Sequence, residues 1–272
     1  MLDEGGKMVN IGIIGTGNIS HFLLEEIEGK NKAQNKHINI TAVFGRNKEK
    51  GNGLSKTYHV DFYNKIDQFL QSPTDLIVEA ATVEVAMEQS EKILKSGKHL
   101  MLSSVGAMGN WTFYQKIEKI AKQEARHVYI PSGAVGGIDV IKAANVLGEL
   151  KTVSLTTKKS PQSLGLEQDL EEAKVIFEGA AGEAIQQFPK NINVSIVLSL
   201  AGIGTEKTKV RIVADPNISR NTHVIEASGH FGSFHFTVEN EPMPSNPKTS
   251  YLAALSILST LQNIDHPIKI GN

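Results

Sequence analysis

The chain has 272 residues, 28 basic and 29 acidic side chains, a formal charge of −1 and no cysteine. A near-neutral balance gives no broad electrostatic reason to bind nucleic acid or an anionic membrane. The lack of cysteine excludes disulfides, thiolate metal sites and thiol-based covalent catalysis. A soluble chain of this length buries roughly three-quarters of its unfolded surface, enough for one large domain or two ordinary ones. No stretch approaches the ~20 apolar residues of a membrane span, and the opening Met1-Leu2-Asp3-Glu4 is acidic rather than signal-like. A cytoplasmic setting is expected.

The first half alternates strand and helix patterns. Val9–Ile14 is a β-branched run that ends in Gly15-Thr16-Gly17. A helical stripe of Ile19, Phe22, Leu23 and Ile27 follows. Ile38–Phe44 is a second strand, ending at Gly45-Arg46-Asn47. Tyr58–Tyr63 is a shorter apolar stretch before a helix near Lys65–Gln71, which Pro73 punctuates. Leu76–Ala80 reads as a buried strand, Glu84–Ser96 as a helix stopped by Gly97, and His99–Leu102 as a strand. Trp111–Ala125 reads as a helix and His127–Ile130 as a strand closed by Pro131. Six strand-like runs separated by helices are the pattern of a doubly wound parallel sheet, a Rossmann arrangement.

The pattern changes at Ser132-Gly133-Ala134-Val135-Gly136-Gly137. A helix through Leu147 and a strand at Val153–Thr157 are expected, then a loop at Pro161–Gly165. Glu183–Phe188 and Val194–Leu200 read as helices. Three strands follow, Lys209–Ala214, His223–Ala227 and Phe231–Val238, with Ser228-Gly229 as the tight turn between the last two. Phe234, Phe236 and Val238 alternate with Ser233, His235 and Thr237, which predicts one buried and one wet face. Asn246-Pro247-Lys248-Thr249-Ser250 opens a final helix reaching Gln262. The fold class is therefore α/β: an N-terminal doubly wound parallel sheet with a C-terminal α+β domain containing an antiparallel sheet. The expected boundaries are a dinucleotide-binding domain at 1–131 and a substrate and catalytic domain at 132–246, with the final helix, 247–262, packing back on the first.

Gly12-x-x-Gly15-x-Gly17 lies where a strand meets a helix. Gly15 permits the turn, Gly17 lets backbone approach a pyrophosphate, and the N–H groups at Asn18 and Ile19 open the helix toward negative charge. The third fingerprint position is Ser20, small enough for close helix–strand packing. Beyond the second strand an acid would bind a ribose 2′-hydroxyl, but Arg46 stands there. Its planar fork could face a 2′-phosphate, or it is a solvated loop arginine. NADP or NAD is the expected cofactor. Ala80, Ala81 and Ser104 follow the fourth and fifth strands, at the edge where such sheets bind ligands. Close loop packing would explain the same small residues.

Several longer words mark the chain. They are Ser104-Val105-Gly106-Ala107, Pro131-Ser132-Gly133-Ala134-Val135-Gly136-Gly137, and Phe188-Pro189-Lys190-Asn191-Ile192-Asn193-Val194. Val210-Arg211-Ile212-Val213-Ala214-Asp215-Pro216 and Asn246-Pro247-Lys248-Thr249-Ser250 complete the set. By these words the chain resembles the L-aspartate dehydrogenase family over nearly its whole length. The resemblance implies a Rossmann domain and a C-terminal α+β domain. It implies oxidation of L-aspartate to iminoaspartate with NAD or NADP, then reversible hydrolysis to oxaloacetate and ammonia, with iminoaspartate able to feed NAD biosynthesis. It also implies a homodimer. Its catalytic histidine falls on His223, in Asn221-Thr222-His223, and its alanine contact to the dinucleotide on Ala134. Its asparagine contact falls on Asn193, with Asn191 the alternative two residues away. Ser20 and the missing acid after the second strand depart from the pattern.

Oxidising an amino acid calls for a proton carrier and for cations to hold two carboxylates. Histidine suits the first. Read from sequence alone, His223 is first a core histidine with a satisfied hydrogen bond, and the resemblance is what makes it the catalytic one. His230 and His235 are the alternatives; His21 lies on the first helix one residue beyond Ser20, and His37, His59, His99 and His127, near strand edges, read as structural. Lys190, Arg211 and Lys248 are candidates for the carboxylates, as is Arg220, and each could be a surface charge. Thr249 and Ser250 could touch substrate, or cap the last helix. No metal-ligand spacing is present, so no metal is expected. Small-molecule partners are expected, with no nucleic acid and no membrane. The alternatives are another Rossmann oxidoreductase, of the homoserine dehydrogenase or dihydrodipicolinate reductase type, or a non-catalytic NADP-sensing regulator.

Overall fold

The computed structural model describes residues 8–30, 37–166, 170–188, 192–244, 246–264 and 266–270, with backbone alone at Lys30, Pro247 and Lys248. The chain divides into two compact units, Met1–Pro131 with Ile257–Ile270, and Ser132–Ser256 with Gly271–Asn272.

In the first unit the elements run β1 (Val9–Ile14), α1 (Asn18–Leu24), β2 (Ile38–Phe44), α2 (Lys48–Tyr58), β3 (Asp61–Tyr63) and α3 (Ile66–Leu70). β4 (Leu76–Glu79), α4 (Val83–Lys95), β5 (His99–Leu102), α5 (Trp111–Gln123) and β6 (Val128–Tyr129) follow. A wider turn, Glu25–Lys30, continues α1 and breaks at Gly29. The six strands pair in the order β3-β2-β1-β4-β5-β6, all parallel. Ile11, Ile13, Leu76, Ile77, Val78, Leu100, Met101 and Leu102 are wholly buried. Such unbroken apolar strands belong to a sheet covered on both faces.

The apolar pattern does not reveal α2. Its side chains are mostly polar and only Gly51 and Leu54 are buried, so no apolar stripe marks it. Asn47 starts it by accepting from the Lys50 amide at 3.0 Å.

The second unit contains α6 (Ile138–Ala144), β7 (Leu150–Lys159), β8 (Lys174–Ala180), α7 (Ala181–Gln187), α8 (Asn193–Ala201), β9 (Lys209–Ala214), β10 (Asn221–Gly229) and β11 (Gly232–Asn240). Then come β12 (Pro242–Met243), β13 (Asn246–Ser250) and the start of α9 (Tyr251–Ile264), whose residues from Ile257 on belong to the first unit. Its five-stranded sheet has the order β11-β10-β7-β9-β8. Three pairings are antiparallel, and β7 with β9 is parallel.

Four local expectations change. β8 is an edge strand with no fully buried side chain, so no alternation marks it. The hairpin turn is His230-Phe231, because Gly229 pairs with Gly232; the expected Ser228-Gly229 lies inside β10. Phe236 is 39% exposed because β11 is the opposite edge. Asn246–Ser250 forms β13 against β12 and does not begin the last helix.

The phosphate loop and the buried histidine

The loop after β1 is built around Gly15. Its φ is +122°, a region that side chains avoid, and an added Cβ would stand 2.5 Å from the Ala80 carbonyl oxygen. The loop is pinned from both sides: Gly15 N–H donates to Phe44 O at 2.9 Å, and Ala80 N–H to Ile14 O at 2.9 Å. Gly17 precedes α1 with open space around its Cα. No side chain caps α1, and its first intrahelical bond is His21 N–H to Gly17 O. The amides of Asn18, Ile19 and Ser20 therefore have no carbonyl within the helix to bond. A pyrophosphate fits this cradle, which combines backbone donors with room where a Cβ would stand.

Gly12 has a different part from the one expected. It is buried within β1, where a Cβ would strike Ile77 Cδ1 at 2.7 Å and Phe69 Cζ at 2.8 Å. It makes room for core side chains and is too deep to touch a cofactor. Ser20 is wholly buried on α1, in keeping with a packing position.

Arg46 is exposed at the tip of β2. Gly45 brings that tip against the loop, since a Cβ there would lie 2.6 Å from Thr16 Cγ2. At the ends of β4 and β5 sits a group that reading the sequence missed. Glu79, wholly buried, accepts from Ala81 N–H at 2.8 Å, Ser104 N–H at 3.1 Å and Ser104 Oγ at 3.0 Å. Burial pushes its carboxyl up, and the hydrogen bonds from Ala81, Ser104 and Thr82 pull it down. Ala80, Ala81 and Ser104 thus form one loop pair tied by one carboxylate. Only its place at a strand's carboxyl end could have singled Glu79 out.

In the second unit His223 is 5% exposed on β10. Its Nδ1 lies 2.9 Å from Thr157 Oγ1 of β7, its direct cross-strand partner. That contact leaves Nε2 as the ring nitrogen not engaged by Thr157. Burial first, then the neighbouring positive charge of Lys159, lowers the imidazole pKa to about 4. At neutral pH the ring is a neutral base. The competing histidines lie elsewhere. His230 pairs with Glu149 at 3.7 Å and His235 with Glu226 at 3.4 Å, all exposed.

Ala134 is held in place: its carbonyl accepts from Asn240 Nδ2 at 3.0 Å, and Asn240 Oδ1 accepts from Ser250 Oγ at 2.6 Å. Ser250 is therefore a tether within the second unit. Asn193 is exposed at the first turn of α8, which no side chain caps. Arg211 is not brought to the histidine. It pairs with Thr156 while His223 pairs with Thr157, so the two point to opposite faces of the sheet. There it meets Glu178 at 3.4 Å. Arg220 bridges Glu239 and Glu241. Lys190 and the alternative Asn191 lie outside the described residues, as does the Lys248 side chain. Among the described residues no group of three or more His, Asp or Glu could hold a metal, and no helix is long and apolar enough to cross a membrane.

The strand order, the glycine loop and the separate sheet carrying a buried histidine define a two-domain NAD(P)-dependent dehydrogenase. Residues 15–131 match the homoserine dehydrogenase NAD-binding domain and residues 139–264 the aspartate dehydrogenase C-terminal domain. The L-aspartate dehydrogenase of Methanosarcina mazei is 41% identical, over 97% of this chain and all of that one. That of Methanospirillum hungatei is 38% identical over the same shares. The crystal structure of aspartate dehydrogenase from Thermotoga maritima superposes with a TM-score of 0.77 at 32% identity, over 97% of this chain and 99% of that one. Scyllo-inositol dehydrogenase from Lactobacillus casei, at 14% identity and a TM-score of 0.56, covers 95% of this chain and 88% of its own and shares the fold alone. The chain belongs to the L-aspartate dehydrogenase family.

Proposed function

We propose that this enzyme catalyses the reversible NAD(P)-dependent oxidative deamination of L-aspartate, through iminoaspartate, to oxaloacetate and ammonia. The observation that carries the mechanism is the buried, neutral His223 with Nδ1 held by Thr157. When bound, the nicotinamide accepts the hydride that leaves the aspartate Cα. His223 Nε2 takes a proton from the substrate ammonium, so that the nitrogen lone pair can form the C=N bond. Once that proton has passed to solvent, the same nitrogen takes a proton from the water that adds to this carbon and returns it to the amine, which departs as ammonia while the new hydroxyl releases its proton and becomes the carbonyl. A histidine kept neutral by burial is ready for the first of these steps without having to lose a proton itself.

Gly15, Gly17, Asn18 and Ile19 hold the dinucleotide phosphates, with Ala80, Ala81 and Ser104 bordering them. The family resemblance gives Ala134 and Asn193 as further dinucleotide contacts. Arg46 favours NADP through its 2′-phosphate, because no acid at the β2 tip is placed for a free 2′-hydroxyl. The family resemblance supports a homodimer, a cytoplasmic setting and a supply of iminoaspartate to NAD biosynthesis. Light scattering on the purified protein tests the dimer.

The test of function is absorbance of NADPH and NADH with oxaloacetate plus ammonium, then with aspartate semialdehyde. Consumption with the first pair is expected. Consumption with the semialdehyde alone would point to the homoserine dehydrogenase alternative, and binding without turnover to a sensor.

A further inference from the structure

The mechanism above leaves one half-buried basic group unused. Lys159 is the last residue of β7, and Val153, Leu155 and Thr157 precede it at every second position on the buried side of the strand. Thr157 is the cross-strand partner of His223, so Lys159 stands on the histidine's face, one diagonal step along the sheet. Its carbonyl accepts from the Asp215 N–H at 2.9 Å, which holds the strand end against β9. One residue further on, Ser160 lines a cavity of about 190 Å³, together with Ser163, Asn221, Asn240 and Ser250. Hydroxyls and amides at the ends of β7, β10 and β11 thus line this space, to which Arg220 and Glu241 also contribute.

We propose that Lys159 is a substrate-specificity residue that binds one carboxylate of the four-carbon dicarboxylate turned over at His223. The proposal rests on the function given above. Two basic side chains side by side on a half-dry face are each disfavoured in the charged form, and each raises the cost for the other. Burial lowers the Lys159 ammonium pKa, and Lys159 in turn lowers that of His223. An arriving carboxylate reverses this balance: it stabilises the ammonium by a charge-assisted bond while His223 stays free to take the proton. Two of the cations first expected for this task have described side chains, and neither takes that position. Arg211 is on the other face and Arg220 is bridged to Glu239 and Glu241. The side chain that meets the need lies outside every motif word, on an ordinary-looking strand.

The test compares wild type, Lys159→Met and Lys159→Arg, each first checked for an unchanged melting temperature. In Lys159→Met the KM for L-aspartate and for oxaloacetate should rise about 10- to 100-fold, the range of a lost hydrogen bond to a charged group. KM for ammonium and Kd for NADPH should stay within about twofold, since neither ligand offers the carboxylate that Lys159 binds. Lys159→Arg should recover most of the dicarboxylate KM. An unchanged dicarboxylate KM in Lys159→Met overturns the proposal. So does a displaced pH profile at constant KM, which would make Lys159 only an electrostatic neighbour of His223. A uniform loss of all parameters that arginine does not rescue overturns it too, as a packing role. If wild type turns over neither aspartate nor oxaloacetate, the functional reading fails separately. Calorimetry with succinate, in the presence of NADPH, then decides for Lys159: binding to wild type and not to Lys159→Met sustains the proposal, and equal or absent binding ends it.

Discussion

The hydroxyl of Ser104 donates to Glu79 Oε1 at 3.0 Å while the Ser104 amide donates to Oε2 at 3.1 Å. One buried carboxylate thereby binds the loop after β5 to the end of β4. A third bond, from the Ala81 amide, ties the β4 loop to the same group. Glu79→Ala should leave these donors buried and unpaired, at about 1–3 kcal/mol for each one that water cannot reach. Thermal unfolding should show the loss, and dinucleotide Kd should rise because both loops border its site. A melting temperature equal to wild type would mean that water replaces the carboxylate.

Gly15 and Gly17 should respond differently to the same added methyl. Gly15→Ala meets both a positive φ and the Ala80 carbonyl at 2.5 Å. It should destabilise the protein by more than ~2 kcal/mol as well as abolish binding. Gly17→Ala has free space and should fold normally, yet weaken the dinucleotide because the methyl occupies the approach to the phosphates. Urea denaturation and fluorescence titration of NADPH, run on both variants, separate the two effects. Equal stability losses would contradict this division.

Arg46→Ala should weaken NADPH by roughly 10-fold or more and leave NADH nearly unchanged, as expected for loss of a charge-assisted phosphate contact. Parallel effects on the two cofactors would remove Arg46 from any 2′-phosphate site.

His223→Ala should lower turnover by about 10²- to 10⁴-fold with cofactor affinity retained, the usual span for a lost proton carrier. The same residue has a signature in stability. In the unfolded chain its pKa is near 6.5, and in the fold it is lowered to about 4. Between those values the unfolded chain holds more protons, so stability falls as pH drops from 6.5 toward 4 and levels off below. The share of one such histidine is on the order of 3 kcal/mol. Urea midpoints of wild type and His223→Gln should converge toward pH 4, and a parallel dependence would refute the buried neutral histidine.

Asn240→Ala should release the Ala134 carbonyl and the Ser250 hydroxyl together, since both bond its side-chain amide. Ser250→Ala breaks only one of these bonds. The double variant should lose little more than Asn240→Ala alone, and additive losses would show that the three do not act as a chain.

Much of the first unit is legible along the chain. Its central strands are short, apolar and buried, so their residues announce them, and the phosphate loop is contiguous from Gly15 to Ser20. The helix Lys48–Tyr58 escapes because it buries little, and β8 because none of its side chains is fully buried. A pattern of burial cannot mark an element that hardly buries anything.

The sequence by itself determined the parallel nucleotide-binding sheet, the glycine turn, the family words and the candidacy of His223. Each depends on neighbouring residues, and backbone geometry converts such spacing directly into structure. Tertiary structure alone decided which side chains meet. Thr157 and His223 are 66 positions apart, Glu79 and Ser104 are 25, and Ala134 and Asn240 are 106. It also decided sides: pairing one residue earlier puts Arg211 on the far face, and alternation along β7 puts Lys159 on the near one. A strand reverses its side chains at every residue, so strand register, set by packing across the sheet, determines which charges face the histidine.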